Sequence, residues 1–122
     1  MPNRRFFTMK IKLIRSFSAA HRLPQYDGPC HDLHGHTWKT VFVLEGPVKP
    51  DGMVCDFKVI KKQLDALLPD HRFLNDIVEN PTAENLARYL FDKAGPVLAA
   101  QQLTLVSLEV WESEHAAALV ER

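Results

Sequence analysis

The sequence predicts an α+β domain in the order ββααββ, a single antiparallel sheet with two helices on one face. Three observations carry that reading. Apolar residues alternate with a period of two at both ends of the 122-residue chain. The two stretches between repeat at spacings of three and four. No linker, internal repeat or low-complexity tract divides residues 1–122, so one domain is expected.

The first strand is expected from Phe6 to Ala20, where Met9, Ile11 and Leu13 alternate with Lys10, Lys12 and Ile14. Leu23 to Pro29 holds strong turn residues and delivers Cys30 to the start of a second strand. That strand runs to Glu45 and stops at Gly46-Pro47. Asp56 can cap a helix whose apolar side is Phe57, Ile60, Leu64, Leu67 and Leu68, with Pro69 ending it. Thr82 is the expected N-cap of a second helix, with Glu84 near its positive end and Ala83, Leu86, Leu90, Phe91 and Ala94 on its apolar face. Gly95-Pro96 is expected to interrupt that helix, leaving a short piece through Leu98 to Ala100. Alternation returns from Thr104 to Glu112 and again from Ala116 to Val120.

The second strand is apolar on both sides, with Trp38, Phe42 and Leu44 on one and Val41 and Val43 on the other. Two helices cover only one face of a four-stranded sheet. The other face is expected to be covered by further copies of the chain, which predicts a homo-oligomer.

Composition excludes several classes. The 15 basic and 15 acidic residues cancel and no basic block stands out, so no nucleic-acid partner is expected. No stretch approaches the roughly 18 apolar residues of a membrane span. Cys30 and Cys55 do not make a disulfide framework, and no uninterrupted apolar run follows the basic opening residues. A cytoplasmic protein with reduced thiols is expected.

The chemistry concentrates in one region. His34 and His36 stand two apart on a strand, so their imidazoles share a face. His21, at the end of the neighbouring strand, can supply a third nitrogen. Three protein ligands with one open position is the count of a catalytic zinc site. The plain alternative for a His-x-His pair is two ordinary surface histidines, and His21 and Cys30 nearby weigh against it. His31 lies in the preceding loop, out of phase with His34, and ranks below His21 as a ligand. Cys55 fits the common reading of a small buried hydrophobe. Cys30, among His, Asp and Gly, is instead a candidate thiolate beside a metal. Asp70-His71 reads either as a solvated loop pair or as a carboxylate with a proton-shuttling imidazole. Glu112 reads equally as a solvated strand-end acid or as a carboxylate that accepts paired N–H bonds from a planar heterocycle.

Taken together, these residues resemble the 6-pyruvoyl-tetrahydropterin synthase family, which includes the bacterial 6-carboxy-tetrahydropterin synthases of queuosine biosynthesis. The matching segments are Phe17-Ser18-Ala19-Ala20-His21-Arg22-Leu23, Cys30 with His34-Gly35-His36, Gly52-Met53-Val54 with Asp56-Phe57, Asp70-His71, Leu74-Asn75-Asp76, Asn80-Pro81-Thr82 with Glu84, and Val110-Trp111-Glu112. They run in family order along nearly the whole chain.

The resemblance implies the tunnelling fold (T-fold), whose subunits join sheet edge to sheet edge in rings that stack, here as a hexamer made of two trimers. It implies zinc on His21, His34 and His36, and Cys30 as base or acid at the substrate side chain. Asp70 and His71 would form a proton relay, Glu112 would anchor the pterin ring, and Thr82 and Glu84 would support the pocket. The short spacer between Cys30 and His34 resembles the carboxy-forming enzymes. The implied reaction converts 7,8-dihydroneopterin triphosphate to 6-carboxy-5,6,7,8-tetrahydropterin, acetaldehyde and triphosphate. A pyruvoyl-forming synthase with the same site and a non-catalytic zinc- or pterin-binding protein are the rival readings.

Overall fold

A computed structural model describes residues 7–122. Its elements are β1 (Thr8–His21), β2 (His34–Pro47), α1 (Phe57–Asp65), α2 (Ala83–Ala99), β3 (Thr104–Trp111) and β4 (Ala117–Glu121). The strands form one antiparallel sheet in the order β1-β2-β3-β4, leaving β1 and β4 as its edges. Phe6, expected to open the first strand, lies outside the described residues. No helix among the described residues is long and apolar enough to cross a membrane.

The period-two pattern sorts residues between the faces. Leu13 and Phe17 of β1, Trp38, Phe42 and Leu44 of β2, and Leu108 and Val110 of β3 are buried on the helix side. Against them pack Ile60 and Leu64 of α1 and Leu86, Leu90, Ala94 and Leu98 of α2. On the opposite side Ile14 and Leu119 are more than half exposed.

Asp56 caps α1 by accepting the Lys58 N–H at 2.9 Å. This helix ends at Asp65, so Leu67 and Leu68 lie beyond it but still pack on the core. Thr82 caps α2 through Oγ1, which accepts the Asn85 N–H at 3.1 Å.

Three further boundaries that bear on the site and on α2 differ from expectation. α2 is not interrupted at Gly95-Pro96 but continues to Ala99. Proline there removes one ladder bond in the last turn only, the Pro96 carbonyl still accepts the Ala100 N–H at 3.1 Å, and burial of Leu98 holds the turn down. Cys30 does not open β2; it sits in a separate 3-10 turn, Pro29–His31, and β2 begins at His34. Finally, β1 extends to His21, which pairs directly with His34.

Candidate metal centre

The end of the β1–β2 hairpin brings the histidines together. His21 faces His34 across the ladder, and Ala19 faces His36. By strand alternation all three imidazoles lie on the helix side, in line with Phe17 and Trp38. His21 is fully buried, and His34 and His36 are half-buried. Trp38 floors the site, with its ring edge-on to His21 at 5.1 Å and to His36 at 5.2 Å between centroids. Its Nε1–H is used by the Ala19 carbonyl at 3.2 Å, so it offers the site only an apolar surface.

Backbone carbonyls fix two of the rings. His21 Nδ1 lies 2.7 Å from the Pro81 oxygen, and His34 Nδ1 lies 2.7 Å from the Asp32 oxygen. A carbonyl only accepts, so each Nδ1 carries a proton and each ring turns its Nε2 inward. Those two Nε2 atoms are 2.9 Å apart. His36 Nε2 is buried without a hydrogen bond. Glu112 Oε1 approaches it to 3.1 Å, off the axis an N–H bond requires, and lies 3.9 Å from His21 Nε2. One donor atom from each of His21, His34, His36 and Glu112 falls within 4.8 Å of all the others.

These residues fit a zinc ion. Converging lone pairs and an orphaned buried nitrogen are unfavourable among themselves and are satisfied by a cation. Burial pushes His21 below its usual pKa, against the opposing effect of the Pro81 hydrogen bond. Burial likewise lowers His36, against the Glu112 charge. Both imidazoles are therefore held in the neutral form that ligates.

The other expected site residues are not among these four donors. Cys30 is partly exposed, its carbonyl accepting the Leu23 N–H at 2.9 Å, and it is not among the four clustered donors. His31 is exposed, 3.4 Å from its neighbour Asp32. Asp70 and His71 do meet, at 3.0 Å between Oδ2 and Nδ1. A clamp on β1 fixes them: Asp70 Oδ1 accepts the Ser18 N–H at 2.9 Å, and the His71 N–H donates to the Ser18 carbonyl at 2.6 Å. His71 adopts a left-handed backbone, φ 58°, which a non-glycine residue holds only under such constraint. The Ser18 N–H, followed by the His71 bond, keeps the Asp70 carboxyl below its ordinary range.

His71 and His36 line one shallow, open cleft of about 660 Å³ with Ser18, Gly35 and Thr37. Thr82 acts in the α2 cap beside Pro81, and Glu84 is exposed in the first turn. Trp111 lies on the sheet face away from the helices, with Lys39 Nζ 4.6 Å from its ring centroid.

Sequence reasoning missed the two carbonyls, Pro81 and Asp32, that orient the His21 and His34 rings; no side chain advertises a backbone acceptor. It also missed how near Glu112 stands to the histidines. The alternation Leu108, Val110, Glu112 places that carboxylate in phase with the helix-side face and could have signalled it.

Residues 10–122 match the family described as 6-pyruvoyl tetrahydropterin synthase, and the chain belongs to that family. It is similar to 6-carboxy-5,6,7,8-tetrahydropterin synthase of Synechocystis sp., with 43% identity over 88 residues, 64% of this chain and 68% of that protein. It is also similar to the dihydroneopterin monophosphate aldolase of Pyrococcus furiosus, with 37% identity over 85% of this chain and 91% of that one. Caenorhabditis elegans 6-pyruvoyl tetrahydropterin synthase superposes with a TM-score of 0.82 at 30% identity, covering 94% of this chain and 96% of that one. The four-stranded antiparallel sheet with two helices is thus the tunnelling fold, and the chain is an enzyme of lyase type.

Proposed function

We propose that the chain converts 7,8-dihydroneopterin triphosphate to 6-carboxy-5,6,7,8-tetrahydropterin, with release of acetaldehyde and triphosphate, in the queuosine (7-deazapurine) pathway. The observation that carries this reading is the convergence of His21, His34, His36 and Glu112 on one point, in a chain with 43% identity to a synthase of that name.

In this reading His21, His34 and His36 hold zinc, which supplies Lewis acidity to the side-chain hydroxyls of the substrate. Glu112 receives the N–H edge of the pterin ring in a paired, charge-assisted contact. Cys30 takes a proton from the side chain, and His71, oriented by Asp70, returns one on the other side. Thr82 and Glu84 support the pocket wall. The dihydropterin ring accepts the reducing equivalent that the side chain loses, so no nicotinamide or flavin is needed. Triphosphate leaves by elimination, and water cleaves the remaining dicarbonyl into carboxylate and acetaldehyde.

The working unit in this reading is a homo-oligomer, a hexamer of two trimers. Its support is the open edges β1 and β4 and the exposed apolar Ile14 and Leu119 on the face away from the helices. A cytoplasmic location goes with the pathway.

A second reading rests on the Pyrococcus relative. An aldolase acting on a phosphorylated side chain would keep the phosphate on the released aldehyde and leave the ring at the dihydro level. Mass spectrometry of the products, with aldehydes trapped as hydrazones, separates these readings. Carboxy-tetrahydropterin with acetaldehyde supports the proposal. Pyruvoyl-tetrahydropterin without an aldehyde assigns a pyruvoyl-forming synthase. A phosphorylated aldehyde assigns the aldolase, and stoichiometric zinc with pterin binding but no turnover assigns a binding protein.

A further inference from the structure

Glu112 stands in a place that ring anchoring alone does not explain. Its Oε1 lies 3.1 Å from His36 Nε2 and 3.9 Å from His21 Nε2, and it completes the set of four donors within 4.8 Å. The His36 nitrogen it faces is buried and makes no hydrogen bond. With its Nε2 unprotonated, as a metal ligand must be, His36 and the carboxylate repel at that separation unless a cation lies between them. A carboxylate also offsets part of a divalent charge above the apolar Trp38 floor, where water screens poorly.

We propose that Glu112 is the fourth donor to the metal in the substrate-free enzyme, and that it leaves the metal for the ring edge when a pterin enters. The second half rests on the pterin-synthase reading above; the first does not. The side chain is 30% exposed, at the mouth rather than the floor of the site, so it has room to turn. It follows Trp111 just past the last ladder pair, where its N–H is still held by the Ala116 carbonyl at 3.2 Å, so any turn is made by the side chain alone. A paired contact with a ring edge uses both carboxylate oxygens and is incompatible with holding the metal in the same pose. Substrate would thus open the coordination position that its own hydroxyls then use, and the metal would stay closed to other ligands in between.

The test needs no turnover. The full chain is loaded with Co²⁺, its visible bands and metal affinity are recorded for wild type, Glu112→Gln and Glu112→Ala, and 6-methylpterin is then added. Metal-free circular dichroism checks that both variants fold. Donation predicts shifted bands in Glu112→Ala and an affinity loss at or above the roughly 10–100-fold that outer-sphere partners cost. Release predicts that the pterin shifts the wild-type bands toward those of Glu112→Ala and leaves the variant unchanged. Superimposable bands and equal affinities overturn the donor assignment. Wild-type bands that stay fixed while tryptophan fluorescence reports bound pterin overturn the exchange. Absence of pterin binding overturns both the exchange and the pterin-synthase reading, while the donor assignment is still decided by the metal titration.

Discussion

His21 and His34 face each other with their Nε2 atoms 2.9 Å apart, while each ring's Nδ1 is held 2.7 Å from a backbone carbonyl. The carbonyls hold Nδ1 as the donor in each ring, which leaves both Nε2 atoms free to bind a cation. Zinc at about a hundredfold excess over its Kd should raise the unfolding free energy by roughly 2.7 kcal/mol. His34→Ala should retain far less zinc after dialysis, measured by elemental analysis. Unchanged zinc content in that variant would point to a different trio.

Without metal, stability should depend on pH through the same residues. His21 and His36 have folded pKa values below the unfolded value of about 6.5. In the window between, the unfolded chain binds more protons than the folded one, so stability rises with pH and falls on acidification. Thermal melts of the metal-free protein from pH 7.5 down to 5.5 should show a decreasing Tm, and a flat profile would contradict it.

Thr82 links helix capping to the site. Thr82→Ala should cost about 1 kcal/mol in urea melts by removing the bond to the Asn85 N–H. It should also weaken zinc binding, because the neighbouring Pro81 carbonyl holds His21. A variant that loses stability but keeps full zinc affinity would separate the two effects.

Asp70→Asn keeps an oxygen for the Ser18 N–H but removes the charge beside His71. Its turnover should fall by roughly 10²–10⁴-fold, with zinc content unchanged. Near-normal rates would leave the pair a structural role only.

Pro96→Ala should stabilise the protein by about 1–3 kcal/mol, because it restores a ladder donor inside a helix that is continuous to Ala99. Urea denaturation measures it. A loss of stability would mean the proline ring itself packs usefully.

The alternating and helical periods gave all six elements in order, because burial on one face leaves a mark every two or every three to four residues. Boundaries were harder. Pro96 broke the expected helix because local propensity argues against it, whereas the burial of Ala94 and Leu98 that overrides it depends on the sheet. The strong turn residues end at Pro29, so Cys30 reads as the opening of the second strand, whereas the 3-10 turn that Gly28-Pro29 begins runs on to His31. The histidine cluster could be read from spacing, since His34 and His36 need only β geometry to share a face. The Asp70–His71 contact could not, as it requires a left-handed His71 backbone that the Ser18 clamp imposes across more than fifty residues of chain.

The ladder from Thr8 opposite Pro47 to His21 opposite His34 makes the first hairpin its own alignment gauge. A slip of one residue would turn His21 to the far side of the sheet from His34 and His36 and abolish the ion's seat. A metal ion bound by these three side chains would therefore favour correctly paired hairpins over misaligned ones during folding. Insertions in the loop at residues 22–33 would leave that alignment intact, whereas a residue added within β1 would have to be absorbed as a bulge, like the one between Val43 and Leu44, to keep His21 facing His34 and His36.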